Sequence, residues 1–186
     1  SEDYKINIYS RNSRDKKCKD ILETFLQPEI WPINLNILSA KNTFNELDNN
    51  DIIIDKNTKI TNSLHTHPNS AFSISIFAYD KKITYITDCE HPKDKVSRNV
   101  VEFSQNSDIL IHDAQYTPED LKEHIGWGHS SWKNAVDVAI ASNSKKLILF
   151  HYSPDYNDIE LKDIEKKAQL DFNNVIAAKQ DLEIEI

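Results

Sequence analysis

The second half of the chain alternates short apolar segments with helical patterns, and the apolar segments end in histidine or aspartate. Segments from Asp108 to His112 and from Lys146 to His151 read as strands, and a helical pattern from Ser131 to Ser142 separates them. This alternation predicts an α/β fold in which helices connect the strands of one sheet. Ligand sites of such sheets lie beyond the carboxyl ends of the strands, so the polar residues there are the first candidates for function.

The rest of the chain extends the same pattern. Lys5 to Tyr9 predicts a strand, and apolar spacing predicts a helix from Asp15 to Gln27 that Pro28 ends. Further strands are predicted at Leu35 to Ala40, Asp51 to Ile54, Lys59 to His67, and Phe72 to Tyr79, the last forming a hairpin with Lys82 to Thr87. Two further helices are predicted, from about Lys95 to Gln105 and after Asp158. We therefore expect residues 1–186 to form a single domain.

Composition narrows the range of partners. The net charge is -8 and the lysines are scattered among acids, which argues against nucleic acid as a partner. No apolar run reaches the roughly 18 residues of a membrane span, and the segment SEDYKINIYS lacks the pattern of a signal peptide. The sequence thus predicts a soluble, cytoplasmic protein with no membrane partner, and it is compatible with a homodimer.

Three polar residues after predicted strands form a candidate metal site. They are His67 in HTHPNS, Asp88 in YITDCE and His151 in LILFHYSP. Imidazole nitrogens and carboxylate oxygens suit zinc, manganese or iron, and an aspartate between histidine ligands can bridge two cations. From residue types and spacing alone, a strand-end histidine with ordinary hydrogen bonds and an aspartate in a turn or helix cap remain equally open.

The order of several short motifs resembles a known family. HPNSAF, TDCE, IHDAQYT, GWGHSS and LFHYSP follow one another as in the C-terminal portion of metallo-β-lactamase-fold hydrolases, in their phosphodiesterase and tRNase Z-like branch. The resemblance covers essentially the whole chain. It implies an α/β fold of the metallo-β-lactamase-like αββα sandwich type, of which this chain forms the C-terminal part.

The resemblance also implies roles for individual residues. His67 is expected to bind one metal ion, Asp88 to bridge two ions, and His151 to bind the second ion. Asp113 and His129 fall on the motifs that tRNase Z-like enzymes place near the scissile phosphate. Asp113, which stands where the family motif usually has glutamate, is expected to orient a protonated His129 towards the leaving group or a phosphate oxygen.

One family motif does not occur in these residues. HxHxDH, which supplies further metal ligands in the family, is absent, and HTHP at 65–68 is the only HxH and is not followed by DH. The sequence also contains no methionine. We therefore expect an incomplete, N-terminally truncated metallo-β-lactamase-like domain that binds metal weakly and is inactive by itself.

For the parent protein the sequence predicts metal-dependent hydrolysis of a small phosphodiester, such as a cyclic nucleotide. Two divalent ions are expected, with zinc first and manganese or iron as alternatives. Such ions activate water and polarise the phosphoryl group.

Two other functions stay open at this point. The chain can be a non-catalytic metallo-β-lactamase-like module with a degenerate metal site. Alternatively, HTHP invites comparison with JAMM-type zinc isopeptidases, in which His65 and His67 would bind one zinc ion and Glu46 would act as base. That comparison is weakened by Phe77, which stands where the JAMM motif has serine.

Overall fold

The computed structural model describes residues 4–11, 16–32, 34–38, 40–47 and 51–186. Contacts divide the chain into two compact units, residues 1–50 and 51–186. The described elements of the smaller unit are strands β1 (Lys5–Ser10) and β2 (Lys41–Glu46), helix α1 (Cys18–Phe25), and one turn of 3-10 helix at Leu35–Ile37. The two strands pair in parallel, with Lys5 opposite Lys41.

In the smaller unit, one strand predicted from the sequence is not observed. Leu35 to Ala40 was expected to be extended, but Leu35–Ile37 form a 3-10 turn in which the Ile37 N–H donates to the carbonyl of Asn34 at 3.1 Å. The strand is β2 instead, and its sequence KNTFNE lacks the apolar alternation of a half-buried strand because none of its residues is buried. The predicted helix start at Asp15 lies outside the described residues.

The larger unit is built on a seven-stranded sheet. Its strands lie side by side in chain order: β3 (Ile52–Asp55), β4 (Thr58–His65), β5 (Ala71–Ala78), β6 (Lys81–Ile86), β7 (Ile109–Asp113), β8 (Leu147–Phe150) and β9 (Val175–Ala177). The pairs from β3 to β6 are antiparallel and those from β6 to β9 are parallel. The predicted strands of this unit are confirmed to within a few residues at each end, whereas β9 was not predicted.

Four helices belong to this unit: α2 (Arg98–Ser104), α3 (Pro118–Leu121), α4 (Trp132–Ala141) and α5 (Asp158–Asp171). Helix α2 contacts β4 and β5, α4 contacts β7 and β8, and α5 contacts β9. Because α4 also contacts both α2 and α5, the three helices line one face of the sheet. Between them and the sheet lies the core: Ile86, Cys89, Val100, Leu110, Ala114, Trp132, Ala135, Val136, Val138, Ala139, Leu147, Leu149, Ile164, Ala168 and Val175. In the described part of the chain, no helix is long and apolar enough to cross a membrane.

The strand directions gather the predicted site residues at one edge of the sheet. Ile86 of β6 lies opposite His112 of β7, and Asp113 lies opposite Phe150 of β8, so these parallel strands end at nearly the same level. Strand β4 runs in the same direction as β6, because β5 is antiparallel to both. The segments that follow β4, β6, β7 and β8 therefore emerge at the same edge.

Candidate metal centre

The carboxylate of Asp88 lies between the two predicted histidine ligands. Its Oδ1 atom is 3.8 Å from Nε2 of His67 and 3.6 Å from Nε2 of His151. Two ligand atoms of one tetrahedral zinc ion lie roughly 3.4 Å apart, since each is about 2.0–2.1 Å from the metal. The side chains of all three residues are partly exposed, so a cation can reach them. This donor set fits a divalent metal ion, and the Asp88 carboxylate lies between the two imidazoles.

Two of these residues have an unusual backbone conformation. Asp88 has φ of 56° and His151 has φ of 63°, both in the left-handed region that residues other than glycine rarely adopt. Each follows a strand directly or after one residue, so the chain turns sharply where the sheet ends. Such conformations concentrate at functional sites, where the surrounding structure holds them against their cost.

Asp113 is a buried hydrogen-bonding centre and does not have the free oxygens of a metal ligand. Its Oδ1 accepts from the backbone N–H groups of Gln115 at 3.1 Å and Ser130 at 3.0 Å. Its Oδ2 accepts from the backbone N–H of Asp88 at 3.0 Å and lies 3.1 Å from Nδ1 of His129. Each oxygen of this fully buried carboxylate thus has two partners, which is the number of hydrogen bonds that a carboxylate oxygen usually accepts. Asp113 thus fixes both the Asp88 backbone and the imidazole of His129.

His129 contacts both His67 and His151 but differs from them in its hydrogen-bond partner. Its ring stacks on that of His151, with centroids 5.1 Å apart, and meets that of His67 edge to face at 5.8 Å. The hydrogen bond to Asp113 raises the pKa of His129 above its usual value, against the opposing effect of burial. Because Nδ1 faces Asp113, the Nε2 atom is the one free to act on a substrate.

A second cluster of possible ligands, formed by Cys89, His91 and His112, does not fit a metal ion. Nδ1 of His91 accepts a hydrogen bond from the Ser97 N–H at 3.1 Å, so the proton of the neutral ring is on Nε2 and blocks coordination there. Burial, followed by the neighbouring His112, lowers the pKa of His91 to about 3. Burial also raises the pKa of the Cys89 thiol. Cys89 packs in the core, whereas the Nε2 atoms of His91 and His112 are buried without a hydrogen-bond partner among the described residues.

His65 and Glu90 support the site; the sequence suggested His65 only as a zinc ligand of the JAMM-type alternative, and Glu90 was not singled out. Nδ1 of His65 lies 2.8 Å from the Ser73 hydroxyl, and its Nε2 lies 3.1 Å and 3.0 Å from the carbonyl oxygens of Thr87 and Asp88. The Asp88 peptide is therefore held at its N–H by Asp113 and at its carbonyl by His65. These partners are 22 and 23 residues from His65 in sequence, so no local sequence pattern could indicate the contacts.

The Glu90 carboxylate binds the backbone of the loop that precedes His129. Its two oxygens accept from the backbone N–H groups of Gly126 at 2.7 Å and Gly128 at 2.8 Å. Both glycines have positive φ, 88° and 93°. The signal in the sequence was that the only two glycines of the chain fall in GWGHSS, which indicates a backbone requirement there.

Gly128 and Gly126 form a natural matched pair for a substitution test. A Cβ at Gly128 would lie 2.2 Å from Cδ2 of His67 and 2.6 Å from Cδ of Pro68, whereas a Cβ at Gly126 meets nothing within 4 Å. We expect Gly126→Ala to cost about 1 kcal/mol through positive φ alone. Gly128→Ala should cost more and also displace His67. Urea unfolding and zinc titration of both variants check this, and equal behaviour of the two variants would show that the His67 contact is unimportant.

The comparison with known families agrees with this geometry. The beta-lactamase superfamily domain matches residues 24–152, which is more than half of the chain. The chain therefore belongs to this superfamily of metallo-β-lactamase-fold proteins, and the predicted fold class is confirmed.

Particular relatives point to one branch of the superfamily. Ribonuclease Z of Archaeoglobus fulgidus is 36% identical over 107 residues, which are 57% of this chain and 33% of that protein. Ribonuclease Z of Prochlorococcus marinus subsp. pastoris is 39% identical over 93 residues, 48% of this chain and 30% of that protein. The matched segments thus span about a third of these relatives. The chain is tRNase Z-like in this region, as its motifs predicted.

Solved structures show the same fold. The short form of human tRNase Z superposes with a TM-score of 0.66 and 17% identity, over 99% of this chain and 69% of that chain. The metallo-β-lactamase-fold protein YhfI from Bacillus subtilis gives a TM-score of 0.68 with 16% identity, over 94% of this chain and 63% of that chain.

Proposed function

We propose that this protein takes part in metal-dependent hydrolysis of phosphodiester bonds in RNA. The observation that carries the proposal is the Asp88 carboxylate between His67 and His151, with the Asp113–His129 pair beside them. The ribonuclease Z relatives favour RNA over the small phosphate ester that the sequence alone predicted. Net charge argued against general affinity for nucleic acid, but a local site needs only a few contacts with the substrate.

The site residues would have two different roles, metal binding and proton donation. His67, Asp88 and His151 would hold two divalent ions, zinc being the best match to two nitrogens and a carboxylate. When bound, such ions activate water and neutralise charge on the phosphoryl oxygens. Nε2 of His129, directed by the Nδ1 contact with Asp113, would donate a proton to the departing alkoxide or contact a phosphate oxygen. The HxHxDH motif, which supplies further ligands in the family, does not occur in these residues.

The JAMM-type alternative loses its main support. It needs His65 as a zinc ligand, but both ring nitrogens of His65 already contact oxygens inside the protein. Burial also lowers the pKa of His65, so the ring is neutral and structural. The non-catalytic module, with its degenerate metal site, differs from the proposed hydrolase in metal binding and in activity, and a direct assay separates the two.

The proposal is tested on the full-length natural protein that contains these residues. Hydrolysis of a short oligoribonucleotide and of bis(p-nitrophenyl) phosphate is measured before and after removal of metal with EDTA. We expect both activities to disappear with EDTA and to return with zinc or manganese. The value of kcat/KM should be at least about 100-fold higher for RNA, because binding of its remote parts contributes to the transition state. Absence of metal-dependent hydrolysis of both substrates would establish the non-catalytic alternative.

A further inference from the structure

Tyr156 lies in the loop that begins with His151, and its hydroxyl group reaches across to another part of the chain. The hydroxyl oxygen accepts a hydrogen bond from the Thr117 N–H at 2.9 Å and donates one to the Asp120 carboxylate. Thr117 and Asp120 are 39 and 36 residues away in sequence and belong to the start of α3, which lies between β7 and His129. One hydroxyl group therefore joins two segments that each carry a residue of the candidate site.

The Tyr156 hydroxyl replaces a local contact at the N-terminus of α3. Thr117 is the N-cap residue of this helix, and its side chain accepts a hydrogen bond from the Asp120 N–H at 3.2 Å. In a complete capping box, the side chain of the third helical residue also reaches back to the N–H of the N-cap residue. Here that N–H donates to Tyr156, and the Asp120 carboxylate binds the same phenol oxygen. The cap of α3 is thus completed by a residue from another loop.

A series of backbone contacts joins the same two segments. The Ser153 N–H donates to the carbonyl of Gln115 at 3.1 Å, and the Gln115 N–H donates to Oδ1 of Asp113 at 3.1 Å. The Tyr156 N–H donates to the carbonyl of Ser153 at 3.2 Å. The loop that begins with His151 is therefore fixed to the Asp113 segment at Ser153 and again at Tyr156.

The contact between Tyr156 and Asp120 joins a protonated phenol to an ionised carboxylate. Burial, followed by the hydrogen bond to Asp120, raises the pKa of Tyr156 to about 12. The same hydrogen bond, followed by that from the Thr117 hydroxyl, lowers the pKa of Asp120. At neutral pH the phenol therefore keeps its proton and the carboxylate keeps its charge. Hydrogen bonds between such groups are stronger than those between two neutral groups.

We propose that Tyr156 is a positioning residue that fixes His151 relative to His129. The rings of these two histidines stack with centroids 5.1 Å apart, and they lie on the two segments that the Tyr156 hydroxyl joins. Loss of the hydroxyl removes the link at Tyr156, so the proposed metal ligand and the proposed proton donor are held less firmly. This inference rests on the proposed function, since metal-dependent hydrolysis is what requires the two imidazoles at a fixed separation.

Tyr156→Phe tests this link, and Tyr152→Phe is the matched control. Tyr152 lies in the same loop and packs against the same core, but its hydroxyl donates to the carbonyl of Leu149 in β8. Each substitution removes one phenol hydroxyl and keeps the ring. We expect both to lower the Tm of the full-length natural protein by a few degrees, because each removes a hydrogen bond.

The first measurement needs neither metal nor activity. Hydrogen exchange of the Ser153 amide is followed in the metal-free, full-length natural protein. We expect exchange to be about tenfold faster in Tyr156→Phe, because local opening of the loop exposes the amide that donates to Gln115. In Tyr152→Phe the rate should equal that of the wild type. Unchanged exchange in Tyr156→Phe, or equal acceleration in both variants, would overturn the inference.

The second measurement separates positioning from stability. The zinc affinity of the full-length natural protein is determined by competition with a chromophoric chelator. Tyr156→Phe should raise the Kd for zinc about tenfold, the lower end of the effect of residues that orient metal ligands, whereas Tyr152→Phe should change it by less than about twofold. If Tyr156→Phe accelerates Ser153 exchange but leaves the zinc affinity unchanged, Tyr156 is a structural residue only and the positioning role is overturned.

Asp120→Ala removes the other partner of the same contact. The double variant Tyr156→Phe, Asp120→Ala should lose no more zinc affinity than the weaker-binding single variant, because effects of residues in one hydrogen-bond network do not add. Additive losses would show two separate effects and overturn the link. If the wild type binds no zinc, the proposed function fails, whereas faster Ser153 exchange confined to Tyr156→Phe still supports the link between the two segments.

Discussion

Replacing Asp88 with asparagine is expected to reduce hydrolysis of bis(p-nitrophenyl) phosphate by at least about 1,000-fold in the full-length natural protein. The Oδ1 atom of Asp88 is the only oxygen that approaches both His67 and His151 among the ion pairs of the described residues. Loss of the shared charged ligand removes several kcal/mol of metal-dependent stabilisation, and each 1.36 kcal/mol corresponds to about tenfold in rate. Metal content, measured by elemental analysis after dialysis, should fall in parallel.

Asparagine is the informative substitution at this position because it tolerates the left-handed conformation that Asp88 adopts. The contacts of the Asp88 N–H with Asp113 and of its carbonyl with His65 are made by the backbone and are retained. Asp94→Asn is the matched control, since Asp94 is an exposed aspartate that, like Asp88, has a positive φ, 62°. With the small substrate its activity should equal that of the wild type. Near-normal turnover in Asp88→Asn would remove Asp88 from the mechanism.

The sequence predicted where the candidate ligands lie because strand ends are a local feature. Asp88 and His151 each follow an apolar segment, and parallel pairing of the strands brings such ends to one edge whatever lies between them. The spacing alone left their role open, and only the order of the motifs assigned it. Leu35 to Ala40 shows the converse, because an apolar pattern there suggested a strand while local carbonyl contacts favoured a 3-10 turn.

The supporting contacts could not be predicted because they join distant parts of the chain. The Glu90 carboxylate binds backbone N–H groups 36 and 38 residues away, and backbone groups have no signature in the sequence. The same holds for His65, which the JAMM comparison treated as a ligand but which fixes the carbonyl of Asp88. Both residues determine where functional side chains stand, and neither needs to touch a substrate. Sequence patterns thus pointed to candidate residues for chemistry and to Asp113, but not to the positioning roles of Glu90 and His65.

Replacing His129 with alanine should separate proton donation from metal binding. In the full-length natural protein we expect unchanged metal content and a kcat about 100-fold lower for RNA, the usual size of a positioned general acid's contribution. With bis(p-nitrophenyl) phosphate the loss should be no more than a few-fold, because p-nitrophenolate departs without a proton whereas an alkoxide does not. The matched control is His124→Ala, which removes a nearby histidine that donates to the Asp120 carbonyl and packs against Trp127.

The dependence on the leaving group decides what Nε2 of His129 does. An equal loss with both substrates means that the imidazolium contacts a phosphate oxygen, since that contribution does not depend on the departing group. Loss of metal together with activity means that His129 is a ligand, and its donor atom does lie within 4.8 Å of those of His67 and Asp88. The contact with Asp113 at Nδ1 is compatible with either role, because a carboxylate partner of this kind orients metal-bound histidines as well as protonated ones, so the metal content of the variant is the measurement that decides.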